Sequence, residues 1–401
     1  MSADHLFVRY YWTILSLGGG LAEWSLWCWF ANRAEPLLLH LAMPVLFAAA
    51  NRMAARAFER ERSRWGFGDL AGHGVFAAGF MAMAAAAALG MVTAGWAAIG
   101  AVVHSAEAGI TPAGLAGGLL GPSFRAAGTA TIVLALGTMG YGYAWGHRRL
   151  RVRRIDVAIG GLPSALDGLR ILHVSDLHVG PLARRTALRE ALARAAALAP
   201  DLVCVTGDIV DSRAADLDAW MPELARLTAP LGVYAILGNH DRYAGADRVA
   251  AALRRGAGWH VLRDEITGVA VQGARLYLVG LEDRPEPEAA TALPALAAAL
   301  PPGAPAVLLA HRPAVFPAAV AAGLPLMLAG HTHGGQLAPP GLPRVNLARL
   351  YVTRFDAGRF ERGGTVLHVS RGLGTSGQPV RIGVPRELTV VTLRGAVRAV
   401  A

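Results

Sequence analysis

The sequence contains no lysine. Its 38 basic residues are all arginine and gather mainly beside apolar segments, so the net charge of +10 reads as a membrane-orienting signal and not as a nucleic-acid surface. Charge of either sign is scarce, at 16% of residues against 54% hydrophobic and a mean hydropathy of +0.39. That balance is too apolar and charge-poor for an ordinary soluble protein, and a membrane portion is expected. Cysteine is nearly absent as well. Cys28 lies in an apolar segment and Cys204 in the strand-like "DLVCVTGD", a spacing that suits neither zinc nor a redox pair, and both read as packing residues. No small-residue cleavage site follows a short apolar core at the N-terminus, so no removable signal peptide is expected.

At roughly 150 residues per domain, 401 residues accommodate an anchor and one sizeable globular unit. Residues 1–147 are almost wholly apolar and read as a transmembrane anchor domain of about four helices, near 10–30, 36–56, 74–98 and 125–146. The second is interrupted by Asn51 and Arg52 and contains Pro44. The stretch from Leu70 to Val103 exceeds one span, which implies a tilt or a re-entrant piece. Arg52, Arg56, Arg60, Arg62 and Arg64 follow the second segment, and Arg148, Arg149, Arg151, Arg153 and Arg154 follow the fourth. The other loops hold little beyond Arg33 and Arg125, so both chain ends are expected on the cytoplasmic face. Glu23, among Trp24, Trp27 and Trp29, is expected to reach headgroups or to pair with another helix. His40, His73 and His104 have no partners at ligand spacing and read as packing or interfacial residues.

Residues 148–164 form a basic juxtamembrane linker and a first strand, "RRIDVAIGG", which alternates apolar and polar. Short apolar runs then follow in "LRILHVSD", "DLVCVTGD", "GVYAILGN", "ARLYLVGLED", "AVLLAH" and "LPLMLAG", with alanine-rich helical stretches between several of them. The order of strand, polar loop and helix indicates an α/β domain over 165–401 with ligands collected at strand C-termini. From near Thr365 the tail reads as two more strands.

The residues that end these runs are the informative ones. "SDLH" supplies Asp176 and His178, "GDIVD" supplies Asp208 and Asp211, "GNHD" supplies Asn239, His240 and Asp241, and "AH" supplies His311. "GHTHGG" supplies His331 and His333, which as a lone His-x-His would say little. Together they are oxygen and imidazole ligands without thiolate, a set that suits manganese, iron or zinc and is too large for one ion. Two adjacent ions need a shared ligand. Asp208, on the middle strand and with two carboxylate oxygens, is the natural choice.

In this order "SDLHVG", "GDIVD", "GNHD", a strand-end histidine and "GHTHGGQ" resemble the calcineurin-like metallophosphoesterase family. The N-terminal helices and the tail "SRGLGTSGQPVRIGVPRELTVVTL" are similar to its bacterial membrane-anchored members. The resemblance implies a four-layer α/β sandwich of two facing sheets flanked by helices, preceded by the all-α transmembrane domain. It implies that Asp176, His178, Asp208 and His333 hold one divalent ion and that Asp208, Asn239, His311 and His331 hold the other, with magnesium also admissible. His240 is similar to the family's catalytic histidine, which faces the substrate and binds no metal; Asp241 either orients that imidazole or is an exposed loop carboxylate. The implied protein is a membrane-anchored, binuclear metal-dependent phosphoesterase of the bacterial inner membrane. It would cleave a phosphoester or pyrophosphate bond of a phosphorylated small molecule or a lipid-linked substrate, such as a UDP-diacylglucosamine. The alternative is a non-catalytic, metal-stabilised scaffold or regulatory protein.

Asp211 reads as a cap or as support for a ligand, and His173 and His368, inside strands, as structural. "GLGTSG" at 372–377 satisfies G-x-G-x-x-G, but an extended, proline-containing segment follows where a dinucleotide fingerprint needs a helix, and that reading is rejected. Arg371 and Arg381 either face a phosphate or lie on the surface. Residues 337–355 mix apolar residues with arginines and suit either an anionic lipid layer or a packed surface loop.

Overall fold

The computed structural model describes residues 3–31, 37–55, 67–106, 122–180, 182–211, 213–339, 341–346, 348–349 and 352–395. The chain divides into two compact units, Met1–Gly142 and Tyr143–Ala401. Among the described residues the first unit consists of α1 (Ala3–Ala31), α2 (Leu37–Ala55), α3 (Phe67–Ala106) and α4, whose range Pro122–Ala144 ends just inside the second unit.

Only within α3, at Ala77–Gly95, is a described stretch long and apolar enough to cross a membrane; the apolar part of α2, Leu41–Met53, is shorter. Four helices stand where four spans were expected, yet α1 and α4 are diluted by Gly18, Gly19, Gly20, Glu23, Gly128, Thr129, Gly137 and Thr138. The 40 residues of α3 form one unbroken helix, rising about 60 Å, so the stretch contains no re-entrant break. Glu23 pairs with another helix, as its Oε2 accepts from Asn51 Nδ2 at 3.1 Å. Trp29 ties α1 to α4 by donating to Thr129 Oγ1 at 3.2 Å and packing edge-on against Phe124. Arg33, Arg56, Arg60, Arg62 and Arg64, and the side chains of His40, His73 and His104, lie outside the described residues.

The second unit holds β1 (Leu150–Ile159), β2 (Arg170–Val174), α5 (Arg185–Ala197), β3 (Leu202–Thr206), α6 (Asp216–Leu224), β4 (Val233–Ile236), α7 (Asn239–Ala252) and β5 (His260–Val261). It continues through β6 (Glu265–Val271), β7 (Ala274–Gly280), α8 (Glu286–Ala298), β8 (Ala306–Leu309), α9 (Phe316–Ala321), β9 (Leu326–Ala329), β10 (Gly358–Arg362), β11 (Thr365–Val369) and β12 (Arg386–Gly395). Among the described residues these strands make two six-stranded mixed sheets, ordered β1-β12-β2-β3-β4-β5 and β10-β11-β9-β8-β7-β6. In the first, β2 to β5 run parallel and β12 pairs antiparallel with β2, with Thr389 opposite His173. In the second, β11, β9, β8 and β7 run parallel between the antiparallel edges β10 and β6.

The short apolar runs are continuous because the inner strands are buried on both faces. With a side-chain period of two, Leu172, Val203, Val205 and Ala235 face Leu188, Leu192, Leu224 and Val249 on the helices, while Ile171, Cys204 and Ile236 face Leu278, Val307, Leu309 and Leu328 of the other sheet. On the far side Leu308, Met327 and Leu367 pack against Leu293 and Phe316. The layers are therefore helices, sheet, sheet, helices. Strands β5, β6 and β10 had no sequence signal: they are edge strands, and β6 and β10 keep mostly exposed or half-buried residues where the inner strands carry apolar runs.

One patch between the sheets is polar. His173 Nδ1 lies 3.0 Å from His368 Nδ1 and its Nε2 2.8 Å from Thr206 Oγ1, while Glu387 Oε1 lies 3.4 Å from His368 Nε2 and Glu387 Oε2 accepts from Arg371 at 2.5 Å. Burial pushes Glu387 up, but His368 and the nearby arginines outweigh it and hold the carboxyl down to about 2. His173 and His368 thus serve as partners of buried polar groups that would otherwise be costly.

Candidate metal centre

The C-terminal ends of β2, β3, β4, β8 and β9 come to one edge of the sandwich. Asp176 and His178 follow β2, Asp208 follows β3, Asn239 and His240 open α7 after β4, His311 follows β8, and His331 and His333 follow β9. Each loop turns sharply. Asp176, His178, Asp208, His331 and His333 have φ of 52, 44, 51, 71 and 51°, in the left-handed region that costs a non-glycine residue about 1–3 kcal/mol. Such strain persists only where surroundings enforce it. Here the loops are laced together: Asp176 N donates to Gly207 O and His178 N to Asp208 O, each at 3.0 Å.

The predicted ligands converge in two groups that share one oxygen. In the first, His178 Nε2 lies 3.0 Å from His333 Nε2, and His333 Nε2 lies 3.5 Å from Asp176 Oδ1. In the second, His311 Nε2 lies 3.2 Å from both Asn239 Oδ1 and His331 Nδ1. Asp208 Oδ2 stands between them, 3.5 Å from His178 Nε2 and 3.3 Å from His311 Nε2. His331 and His333 therefore belong to different groups. Imidazole nitrogens facing each other this closely repel unless a proton or a cation lies between them. The ligand atoms of Asp176, His178 and His333, and those of Asp208, His311 and His331, fall within 4.8 Å of one another in each set. Carboxylate, amide and imidazole donors at such separations fit two divalent ions.

The electrostatics are those of a compensated buried site. Burial pushes Asp208 up, but the imidazoles of His311 and His240 outweigh it and carry the carboxyl well below its ordinary range. Burial would lower His311, yet the Asp208 carboxylate wins and the imidazole is pushed up to about 10. His331 and His333 are driven well below the usual histidine value, chiefly by burial.

Surrounding residues fix the ligands. His311 Nδ1 bonds the Thr206 carbonyl at 2.7 Å, which leaves Nε2 for the centre. Asp211 supports two histidines: its carboxylate lies 3.3 Å from His178 Nδ1, and its backbone oxygen bonds His240 Nδ1. Half-buried His240 stacks edge-on against His178, with ring centroids 4.6 Å apart, and its backbone N–H donates to Asp208 Oδ1 at 2.9 Å. Asp241 corrects the sequence reading, since it neither contacts the His240 ring nor lies exposed. It is buried and accepts from the backbone N–H groups of Gly238 and Val210 at 2.9 Å and Ile209 at 3.2 Å, so it clamps the two loops around Asp208. Burial and the Asp208 charge push it up to about 7.

Arg371 and Arg381 are not surface residues, and their guanidinium groups bond the protein's own groups. Arg371 pairs with Glu387, whereas fully buried Arg381 donates to the Arg371 carbonyl at 2.7 Å and also to Gly374 O. The "GLGTSG" loop packs on the first group of ligands, with Leu373 N on Ser175 O at 3.0 Å and Gly374 N on Asp176 O at 2.6 Å. Beside His178 opens a pocket walled by Leu177, Val179, Leu182, Leu188 and Leu373, with Arg386 among its polar residues. Asp211 was within reach of sequence reasoning through "GDIVD". Arg381, whose Nη2 also lies 3.4 Å from His333 Nδ1, and Asp241 are named from the sequence, but most of their partners are backbone groups brought together by folding and carried no signal.

The profile of the calcineurin-like phosphoesterase family matches residues 169–335, a span that holds every residue of both groups and His240. An uncharacterized metallophosphoesterase of Aquifex aeolicus is 32% identical over 261 residues, covering 61% of this chain and 92% of that protein. A Bos taurus transmembrane protein with metallophosphoesterase domain is 30% identical over 262 residues, covering 61% and 57%. The phosphodiesterase YaeI of Escherichia coli is 29% identical over 233 residues, covering 56% and 82%.

Gly238 gives a direct test of the shared oxygen, because a Cβ there would stand 2.1 Å from Asp208 Oδ1 and 2.5 Å from its backbone nitrogen. Gly238→Ala is expected to displace Asp208 and to lower metal content, read by elemental analysis of purified protein, by more than half. Full metal content in a folded variant would show that Asp208 does not hold the ions.

Proposed function

We propose that the chain, which belongs to the calcineurin-like phosphoesterase family, hydrolyses a phosphoester or pyrophosphate bond of a lipid-linked substrate at a two-metal centre. Membership makes it a metal-dependent phosphoester hydrolase. The observation that carries the two-metal reading is Asp208 Oδ2, within 3.5 Å of a nitrogen in each ligand group. Asp176, His178, Asp208 and His333 would hold one ion, and Asp208, Asn239, His311 and His331 the other. Bound divalent ions supply Lewis acidity there, polarising phosphoryl oxygens and acidifying water. Manganese, iron and zinc all suit the donors.

The remaining chemistry falls to His240. Its Nδ1 is held by the Asp211 carbonyl, which leaves Nε2 as the atom that can offer a proton to the leaving oxygen. The pocket beside His178 supports an apolar group next to the phosphate, since leucines and valine form its wall. Arg184, Thr375 and Arg386 share that lining, so the pocket suits a small group beside the phosphate, and lipid linkage is supported by the apolar N-terminal segments.

The anchor completes the reading. The apolar stretch of α3 and the relatives named as transmembrane proteins support residence in a membrane. The arginines after the second and fourth helical segments support a multi-pass bacterial inner-membrane protein with its C-terminal unit in the cytoplasm.

Purified full-length protein is expected to hydrolyse at least one of a soluble phosphodiester, a phosphomonoester and a lipid-linked pyrophosphate when supplied with manganese, zinc, iron or magnesium. His240→Ala should keep its metal and lose roughly a hundred- to ten-thousandfold in kcat. Near-normal turnover in that variant removes His240 from the mechanism, and inactivity of the parent protein on every substrate returns weight to a scaffold. Protease added to sealed vesicles is expected to cut the C-terminal unit only when the cytoplasmic face is outward; cutting from the periplasmic side refutes the orientation.

A further inference from the structure

Among the described residues of the C-terminal unit, the exposed large apolar side chains are Trp145 at 62%, Leu342 at 58%, Val345 at 56% and Val352 at 58%. Three of them share one short segment. Exposed Arg344, Arg349 and Arg354 stand among them, and from Gly341 to Phe355 the sequence has no acidic residue. Scattered apolar residues on a surface need no explanation, but a cluster confined to one segment does.

The segment is held in place. Asn346 is buried and donates to Asp356 Oδ2 at 2.7 Å and to Pro343 O at 2.8 Å, and Arg349 reaches Asp356 Oδ1 at 3.1 Å. Two of these anchors also touch the turn that carries His331 and His333. Thr332 Oγ1 donates to the Asp356 backbone oxygen, and Asn346 lies so close to Gly335 that a Cβ there would come within 2.7 Å of its Oδ1. The same edge receives the start of the unit. Tyr143 OH bonds Gln378 Oε1 at 2.7 Å, Ser376 N bonds Gln336 Oε1 at 2.8 Å, and Ala338 N bonds Ile382 O at 2.9 Å, which forms one connected strip from Tyr143 to the base of the segment.

We propose that Leu342, Val345 and Val352, with Arg344 and Arg354 beside them, form a surface that seats in the headgroup layer of an anionic bilayer and holds the metal-site edge against it. Apolar side chains interleaved with arginine and free of acids match such a layer, where the apolar tips enter the acyl boundary and the guanidinium groups meet lipid phosphates. Strand-end loops carrying His331 and His333 then face the source of an amphiphilic substrate. The inference rests on the membrane location proposed above and not on the chemistry of the centre.

The test uses the full-length chain with Cys28→Ala and Cys204→Ala, a nitroxide on Val345→Cys or, separately, on Val352→Cys, and reconstitution into phosphatidylglycerol-containing vesicles. A nitroxide on Glu361→Cys, an exposed position on β10, serves as the aqueous reference. At 345 and 352 the expected result is preferential collision with oxygen over a water-soluble nickel chelate, with the reverse at 361. Equal nickel accessibility at all three positions overturns the proposal. Dipolar broadening between labels at 345 would assign the surface to a second copy of the chain and equally overturns it. Failure of the protein to float with the vesicles overturns both this surface and the membrane location, whereas floating with a water-exposed 345 overturns the surface alone.

Discussion

A single carboxylate sets the constraints on this site. Asp208 places Oδ2 3.3 Å from His311 Nε2 and 3.5 Å from His178 Nε2, and gives Oδ1 to the backbone N–H of His240 at 2.9 Å. A buried charge is expensive unless paired on all sides, and here the pairing comes from imidazoles on loops of both sheets. The strained backbone follows from that need. Asp208 keeps a φ of 51°, Gly207 before it has a φ of 88°, and Gly238 leaves room for the carboxylate by having no side chain. Asp241 then locks the arrangement by accepting backbone N–H groups on either side.

The sandwich explains why residues far apart in sequence meet. Inner strands buried on both faces can only be short apolar runs, and polar groups are tolerated only where those runs stop. One sheet contributes Asp176, His178, Asp208 and Asn239, the other His311, His331 and His333. Residues of both sheets would therefore hold the ions of the proposed centre. His240 enters on the same loops, with its orientation set by the Asp211 carbonyl and not by a carboxylate.

Much of this was legible in the sequence, for a physical reason. Each candidate ligand sits at the end of an apolar run, so chain order and spacing reported the convergence, and Asp208, expected between the two sets, stands between them. The inner strands were readable by the same token. Edge strands β5, β6 and β10 were not, because polar and half-exposed residues carry no distinct period. Asp356 and the partners of Asp241 and Arg381 were not legible for another reason: each of these side chains acts wholly or partly on backbone groups that only the fold assembles. In the N-terminal unit four helices appear near the expected positions, and among the described residues the stretch long and apolar enough to cross a membrane lies in α3.

The central claim is that Asp208 is shared by two ions. Crystals grown with manganese and measured at the manganese edge should show two anomalous peaks, one on the His178–His333 side of the Asp208 carboxylate and one on the His311–His331 side. A single peak, or two peaks of which only one contacts Asp208, would contradict the account.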